Sequence, residues 1–187
     1  MGCKITTEIL RGCRSNVGGI KKVYIANFDD MVSVTPVVSD DLTDTGMITA
    51  ISMAGSPAAG FYRYEFTKDS SSYTQTFSQD IASETGGWVQ SLNLIFAKNE
   101  ASKRNAVKML GQNSTLIIVE DKNNKFWLLG EENGCELTAA EAGSGVLQTD
   151  RNGYSVTFEG RERFAAREIF VTDYATTAAL VESYLAV

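Results

Sequence analysis

Histidine is absent from the 187-residue chain, which removes the commonest general base and the commonest transition-metal ligand. A serine or cysteine triad of the usual kind is therefore excluded. The three cysteines, Cys3, Cys13 and Cys135, are odd in number and widely spaced, so they predict neither a zinc site nor a disulfide framework. We expect reduced thiols, with a Cys3–Cys13 or Cys13–Cys135 bridge as the alternative, and no cofactor.

Long apolar runs are also missing. None approaches the roughly 20 residues that a membrane-spanning helix needs, and the N-terminus lacks the apolar core of a secretory signal. We therefore expect no membrane anchor. Clustered Lys and Arg are scarce, and the net charge is −6, which disfavours tight binding of nucleic acid. Paired carboxylates at 29–30 and 40–41 point to opposite sides of an extended chain, so an enzyme is not expected.

Residues 114–162 predict the centre of a β-sheet. Two apolar runs, 114–120 and 126–130, are joined by a polar turn with two asparagines, which is typical of a β-hairpin. Apolar and polar side chains then alternate over 154–159, as in a strand with one buried face. The Gly- and Ala-rich segment 131–149 between them is interpreted as a loop, and it lacks the pattern of a nucleotide-binding loop.

Several further segments have strand character. Alternating aromatic and β-branched residues predict half-buried strands within 61–98. The remaining predicted strands lie at 23–28, 47–53 and 168–172.

Two helices are predicted. The first covers about 99–111, with Asn99 as N-cap and Gly111 just past its end. The second is a short C-terminal helix capped by Asp173. The resulting fold class is mainly β, with few helices.

Charge is distributed unevenly along the first third of the chain. Residues 1–28 carry a net charge of +4, whereas residues 29–60 carry five aspartates and no Lys or Arg. Apart from the strand at 47–53, residues 29–60 are interpreted as a long, glycine-punctuated acidic loop. Loops of this length in a compact domain are commonly functional. The opposite charges favour docking of the acidic loop on a basic partner surface.

Three stretches of sequence together resemble one protein family. They are the hairpin segment 121–130, the segment 150–162 with Ala165 and Ala166 that follows the glycine-rich loop, and the N-terminal run 12–20. In these residues the chain resembles the tail tube and tail ring (connector) proteins of tailed bacteriophages that infect Bacteroides-type hosts. The matching residues are structural, and none is catalytic.

The resemblance implies an antiparallel β-sandwich or half-barrel of the tail-tube type, forming a single domain over 1–187. It implies that about six copies close into a ring and that rings stack into a tube that conducts the genome. The N-terminal segment 1–19 and the acidic loop 29–60 would be assembly arms. The expected location is the virion tail, after synthesis in the bacterial cytoplasm.

The implied partners are further copies of the chain, other tail or connector proteins, and DNA that passes through the lumen without specific binding. The alternatives are a head–tail connector ring, the tube protein of a contractile injection or type VI secretion apparatus, and a ligand-binding β-domain. We predict inter-subunit contacts from these charged residues: Arg11, Arg14, Lys21, Lys22, Asp29, Asp30, Asp40, Asp41 and Asp44.

Overall fold

The computed structural model describes residues 15–36, 46–54, 59–80, 82 and 85–186. In these ranges the strands are β1 (Ile20–Asn27), β2 (Met31–Pro36), β3 (Met47–Met53), β4 (Tyr62–Tyr64), β5 (Ser72–Asp80), β6 (Thr85–Ala97), β7 (Thr115–Asp121), β8 (Phe126–Leu129), β9 (Cys135–Gly143), β10 (Gly153–Glu162) and β11 (Arg167–Ile169). The helices are α1 (Ala101–Leu110) and α2 (Tyr174–Ser183), and a single 3-10 turn covers Phe28–Asp30.

The strands form two connected layers. One layer has the order β4-β1-β7-β8-β11-β3-β2, and the other has the order β9-β10-β6-β5. The described pairs of strands are antiparallel except for β3–β11, and the isolated bridge between Phe61 and Leu185 is also parallel. A single residue pair, Thr115 with Cys135, joins β7 to β9 and so connects the two layers. The predicted mainly-β fold with short helices is confirmed.

Strand β7 lies between β1 and β8 near the middle of the sheet, and it is buried on both faces. Every residue from Thr115 to Glu120 is buried, which explains why this segment is a continuous apolar run. Ile117 and Val119 pack in a core between the two layers, together with Val156 and Phe158 of β10. The opposite face of β7 packs in a second core that includes Val181 of α2.

The C-terminal helix was predicted correctly. Asp173 is the N-cap of α2, and its carboxylate accepts a hydrogen bond of 2.7 Å from the Thr176 amide. Ala178, Tyr184 and Leu185 pack beside Val181 against the second core. An isolated β-bridge between Phe61 and Leu185 joins the segment that follows α2 to the second core.

The hairpin of β7 and β8 and the alternation along β10 are also confirmed, since Tyr154, Val156 and Phe158 are buried. The predicted loop at 131–149 was wrong in part, because β9 occupies Cys135–Gly143 and separates β10 from β7. The predicted acidic loop at 29–60 likewise contains β2 in addition to the expected β3, and the two pair with each other. Backbone pairing with long-range partners makes these segments strands.

Helix α1 is shorter than predicted. It begins at Ala101 with Glu100 as the N-cap, not Asn99, whose side chain instead accepts a hydrogen bond of 2.7 Å from the Tyr154 hydroxyl. Gly111 has a φ of −77°, so the helix ends without the left-handed glycine that the sequence suggested. Within the described part of the chain, neither helix is long and apolar enough to cross a membrane.

Candidate functional site

Four of the predicted contact residues lie in the described part of the chain. Lys21 and Lys22 are on β1, and Asp29 and Asp30 are in the 3-10 turn that follows it. The other five predicted contact residues lie outside the described residues: Arg11, Arg14, Asp40, Asp41 and Asp44.

Both lysines have intramolecular partners. Lys21 Nζ lies 2.6 Å from Glu120 Oε1, and Lys22 Nζ lies 3.8 Å from Glu120 Oε2. Lys22 Nζ is also 3.9 Å from an oxygen of Glu182 on α2. Glu120 is fully buried on β7, whereas the Lys21 side chain is 39% exposed. The lysines therefore neutralise a carboxylate that the sheet has removed from water.

Tyr174 at the start of α2 completes this cluster. Its hydroxyl donates a hydrogen bond of 2.8 Å to Glu120 and accepts one of 2.7 Å from Lys21. Its ring stacks on Phe126 of β8, with centroids 5.9 Å apart. Hydrogen bonds to Glu120 and then Tyr174 raise the pKa of Lys21, so the ammonium form is favoured. Through Tyr174, these contacts anchor the start of α2 on strands β7 and β8.

A basic groove lies beside the cluster, along β1 and β4. Its volume is about 450 Å³. The cations that line it are Lys21, Lys22, Arg63, Lys68 and Lys122. Part of this charge is compensated, because Lys122 bonds Asp69 and thereby lowers the pKa of that carboxyl. Arg63 lies 3.7 Å from Glu65 in a second exposed pair. The groove is solvent-facing and lacks a buried polar group that would select a ligand.

Within the described residues, neither Asp29 nor Asp30 forms an ion pair with Lys21 or Lys22. Asp30 accepts a hydrogen bond of 3.1 Å from the side chain of Asn27, and its carbonyl accepts one of 2.7 Å from the amide of Ala54. Within one chain, the structure thus joins Lys21 and Lys22 to glutamates that the sequence analysis did not select. A contact between Lys21 or Lys22 and an aspartate of another copy stays a prediction.

The described residues contain no cluster of three or more His, Cys, Asp or Glu side chains that could hold a metal ion. Burial raises the pKa of the Cys135 thiol to about 12, with a smaller effect from Glu162, so it is not a thiolate nucleophile at neutral pH. Burial also raises the pKa of Glu162, whose oxygens accept hydrogen bonds of 3.1 Å from the Glu132 and Asn133 amides. The carboxylate of Glu162 therefore holds the turn that precedes β9.

The two ends of the main strand path, β2 and β5, are edges with almost no charge. In the described residues, β5 pairs only with β6, and β2 pairs only with β3. Strand β5 carries one charge, Asp80 at its last position, and β2 carries none. Val32 on β2 is 66% exposed, and Phe77 on β5 is 51% exposed.

Two other open edges in the described residues, β4 and β9, carry charged side chains. Arg63 is the middle residue of β4, and β9 carries Glu136 and Glu141. Charged side chains commonly protect sheet edges from pairing with other chains, and β2 and β5 lack this protection. The sequence analysis missed the edge at β2 because Met31–Pro36 was assigned to a loop, although its β-branched residues are a local strand signal.

No protein-family model, no curated protein and no solved structure matches this chain.

Proposed function

We propose that the chain is a structural protein of a bacteriophage tail, which associates edge to edge into rings that stack as a tail tube. The proposal combines the resemblance of the sequence to tail tube and connector proteins with the arrangement of the sheet edges. The two edges with little charge, β2 and β5, carry the proposal, because they stand at opposite ends of one strand path.

An edge strand presents a row of backbone N–H and C=O groups that another strand can pair. If β5 of one copy pairs with β2 of the next, the surfaces in contact are different, and the contact is heterologous. Repetition of such a contact closes into a ring when the rotation between copies permits it. The ring then contains a continuous sheet and leaves neither of these edges open.

The charge of the chain suits a conduit for DNA. A net charge of −6 on each copy disfavours adhesion of the phosphate backbone, so the genome would pass through the lumen without specific binding. Other tail or connector proteins would contact the ends of the tube. A connector ring at the head–tail joint would use the same edge pairing without continued stacking.

The first test is the mass of the purified protein by light scattering, with negative-stain microscopy of the same sample. We expect rings of about six copies, alone or stacked. Stacked tubes favour a tail tube, and single rings favour a connector. A chain that stays monomeric at high concentration and with crowding agents contradicts the proposal and favours a ligand-binding β-domain.

A pair of matched variants tests the edges. Thr76 is exposed on β5, and Thr76→Lys places a charge in the middle of an edge strand whose one charge is Asp80 at its end. Ala140 is exposed on β9, and Ala140→Lys adds the same charge to a strand that already carries two glutamates. We expect Thr76→Lys to raise the protein concentration needed for ring formation, whereas Ala140→Lys leaves it unchanged. Equal effects of the two variants would count against pairing through β5.

A further inference from the structure

Three oxygen atoms surround the amine of Lys21. Its Nζ donates hydrogen bonds of 3.2 Å to Asn124 Oδ1 and 2.7 Å to the Tyr174 hydroxyl, and it lies 2.6 Å from Glu120 Oε1. Among the lysines of the described residues, Lys21 alone contacts both a side-chain amide and a buried carboxylate. The fold thus brings an amine, an amide and a carboxylate together from β1, the β7–β8 turn and β7.

The amine and the amide are close enough to react. An amine can attack a neighbouring carbonyl carbon when a third group moves the protons. The carbonyl carbon of Asn124 is one bond, about 1.2 Å, beyond the oxygen that Lys21 contacts. The Lys21 side chain is 39% exposed, so it has room to rotate and bring Nζ to that carbon. Reacting groups held side by side in one molecule react far faster than the same groups in dilute solution.

The turn that carries Asn124 is fixed. Asp121 Oδ1 accepts hydrogen bonds of 2.8 and 2.9 Å from the amides of Asn123 and Lys125. The Asp121 carbonyl accepts one of 3.2 Å from the amide of Asn124, whose φ is 61°. The backbone therefore holds this side chain beside Lys21. Asn124 is exposed, so a small leaving group can escape into water.

Glu120 is placed to carry the protons. Its side chain is 1% exposed, and its Oε2 accepts no hydrogen bond from the described residues. Transfer of a proton from Lys21 to Glu120 replaces two charges by two neutral groups, which burial favours. Because hydrogen bonds to Glu120 and then Tyr174 raise the pKa of Lys21, the free amine is a minor species and the reaction is slow.

We propose that Lys21 and Asn124 condense into an intramolecular isopeptide bond, which joins β1 to the turn between β7 and β8. Lys21 first gives a proton to Glu120, and its free amine attacks Cγ of Asn124. Glu120 passes that proton to Nδ2 and takes a second one from the attacking nitrogen. The Nζ–Cγ bond forms and the Cγ–Nδ2 bond breaks. Ammonia leaves and accepts the second proton, so Glu120 is again a carboxylate.

The reaction requires neither an oxidant nor a cofactor. The structure shows the three side chains before the bond forms, with Lys21 still in its ion pair. The bond is independent of the proposed self-assembly, because all three groups belong to one chain.

Intact mass spectrometry tests the bond. Folded wild-type protein should lose about 17 Da, the mass of one ammonia, during prolonged incubation. Lys21→Arg and Asn124→Gly should keep the masses that their sequences predict, and glycine suits the positive φ at position 124. Lys108→Met removes an exposed lysine on α1 and should lose ammonia as the wild type does. A wild-type chain that retains its full mass overturns the proposal.

Peptide mapping locates the lost ammonia. Asn–Gly sequences release the same mass when they form a succinimide, and the chain has them at 133–134 and 152–153. We expect instead one branched peptide that contains Lys21 and Asn124. Loss at the Asn–Gly sequences alone would overturn the bond. Glu120→Gln should abolish the branched peptide, and its formation at the wild-type rate would refute proton transfer through Glu120.

Thermal unfolding provides the second measurement. The bond joins residues 103 positions apart, so it restricts the unfolded chain as a disulfide of that span does. We expect wild-type protein after complete reaction to melt about 10 °C above freshly prepared protein. Asn124→Gly should melt at the same temperature before and after incubation. An equal rise in that variant would show that the change does not come from the Lys21–Asn124 bond.

Discussion

Removal of Lys21 should destabilise the protein more than removal of the charge on Glu120, although the two groups form one ion pair. The reason is their unequal burial, since the Glu120 side chain is 1% exposed and the Lys21 side chain is 39% exposed. Lys21→Met leaves a buried carboxylate with the Tyr174 hydroxyl at 2.8 Å and Lys22 at 3.8 Å. Glu120→Gln leaves a lysine that water can solvate.

The structure sets the expected magnitudes. Loss of one partner of a buried ion pair lowers the free energy of unfolding by about 3–5 kcal/mol. Because Lys22 still lies near Glu120, we expect Lys21→Met to cost about 3 kcal/mol. Glu120→Gln keeps an oxygen for the Tyr174 hydroxyl and removes a charge from the interior, so we expect about 1 kcal/mol. The double variant should also cost about 1 kcal/mol, well below the sum of the single variants.

Urea denaturation followed by circular dichroism measures these free energies of unfolding, at a protein concentration where the chain is monomeric. Lys21→Arg retains the charge and should lose little stability. Lys108→Met removes a lysine from an exposed position on α1 and should change stability by less than about 0.5 kcal/mol. If Glu120→Gln were the more costly variant, or if the single effects were additive, the burial argument would be refuted.

Two further predictions concern protonation. Backbone and side-chain hydrogen bonds from Thr176 lower the pKa of Asp173 below its ordinary 3.8, so its cap stabilises the fold above pH 3.8. The stability difference between wild type and Asp173→Ala, measured by urea denaturation against pH, should vanish as pH falls through that lowered pKa. Cys135, with a pKa of about 12, should resist iodoacetamide at pH 8 in native protein and react in urea, in a chain lacking Cys3 and Cys13. Rapid native labelling would contradict its burial.

Local sequence patterns determined several elements of the fold. The turn at 121–125 fixed the β7–β8 hairpin, the alternation at 154–159 fixed the buried face of β10, and Asp173 fixed the start of α2. Each of these signals is contained in a few consecutive residues, because turn geometry, strand periodicity and helix capping are local. The mainly-β fold class follows from the same signals.

Strands β2 and β9 required the tertiary structure. Residues 138–140 of β9 lack a clear alternation, and the segment becomes a strand because β10 pairs with it on both sides of an irregularity at Thr138. Strand β2 likewise exists through its pairing with β3. Pairing partners distant in sequence supply the stabilisation that local propensity leaves undecided.

The tertiary structure also decided where the candidate functional surfaces lie. Lys21 and Lys22 were predicted as contact residues from their charge. Their ion pairs with Glu120 follow only from the fold, because Glu120 is 98 or more residues away along the chain. The exposed edges of β2 and β5 exist because of the strand order, which no local pattern encodes. The sequence by itself thus determined the β7–β8 hairpin, the buried face of β10 and the start of α2. The tertiary structure decided which edges, charges and aliphatic side chains remain available to another molecule, because that depends on contacts between distant parts of the chain.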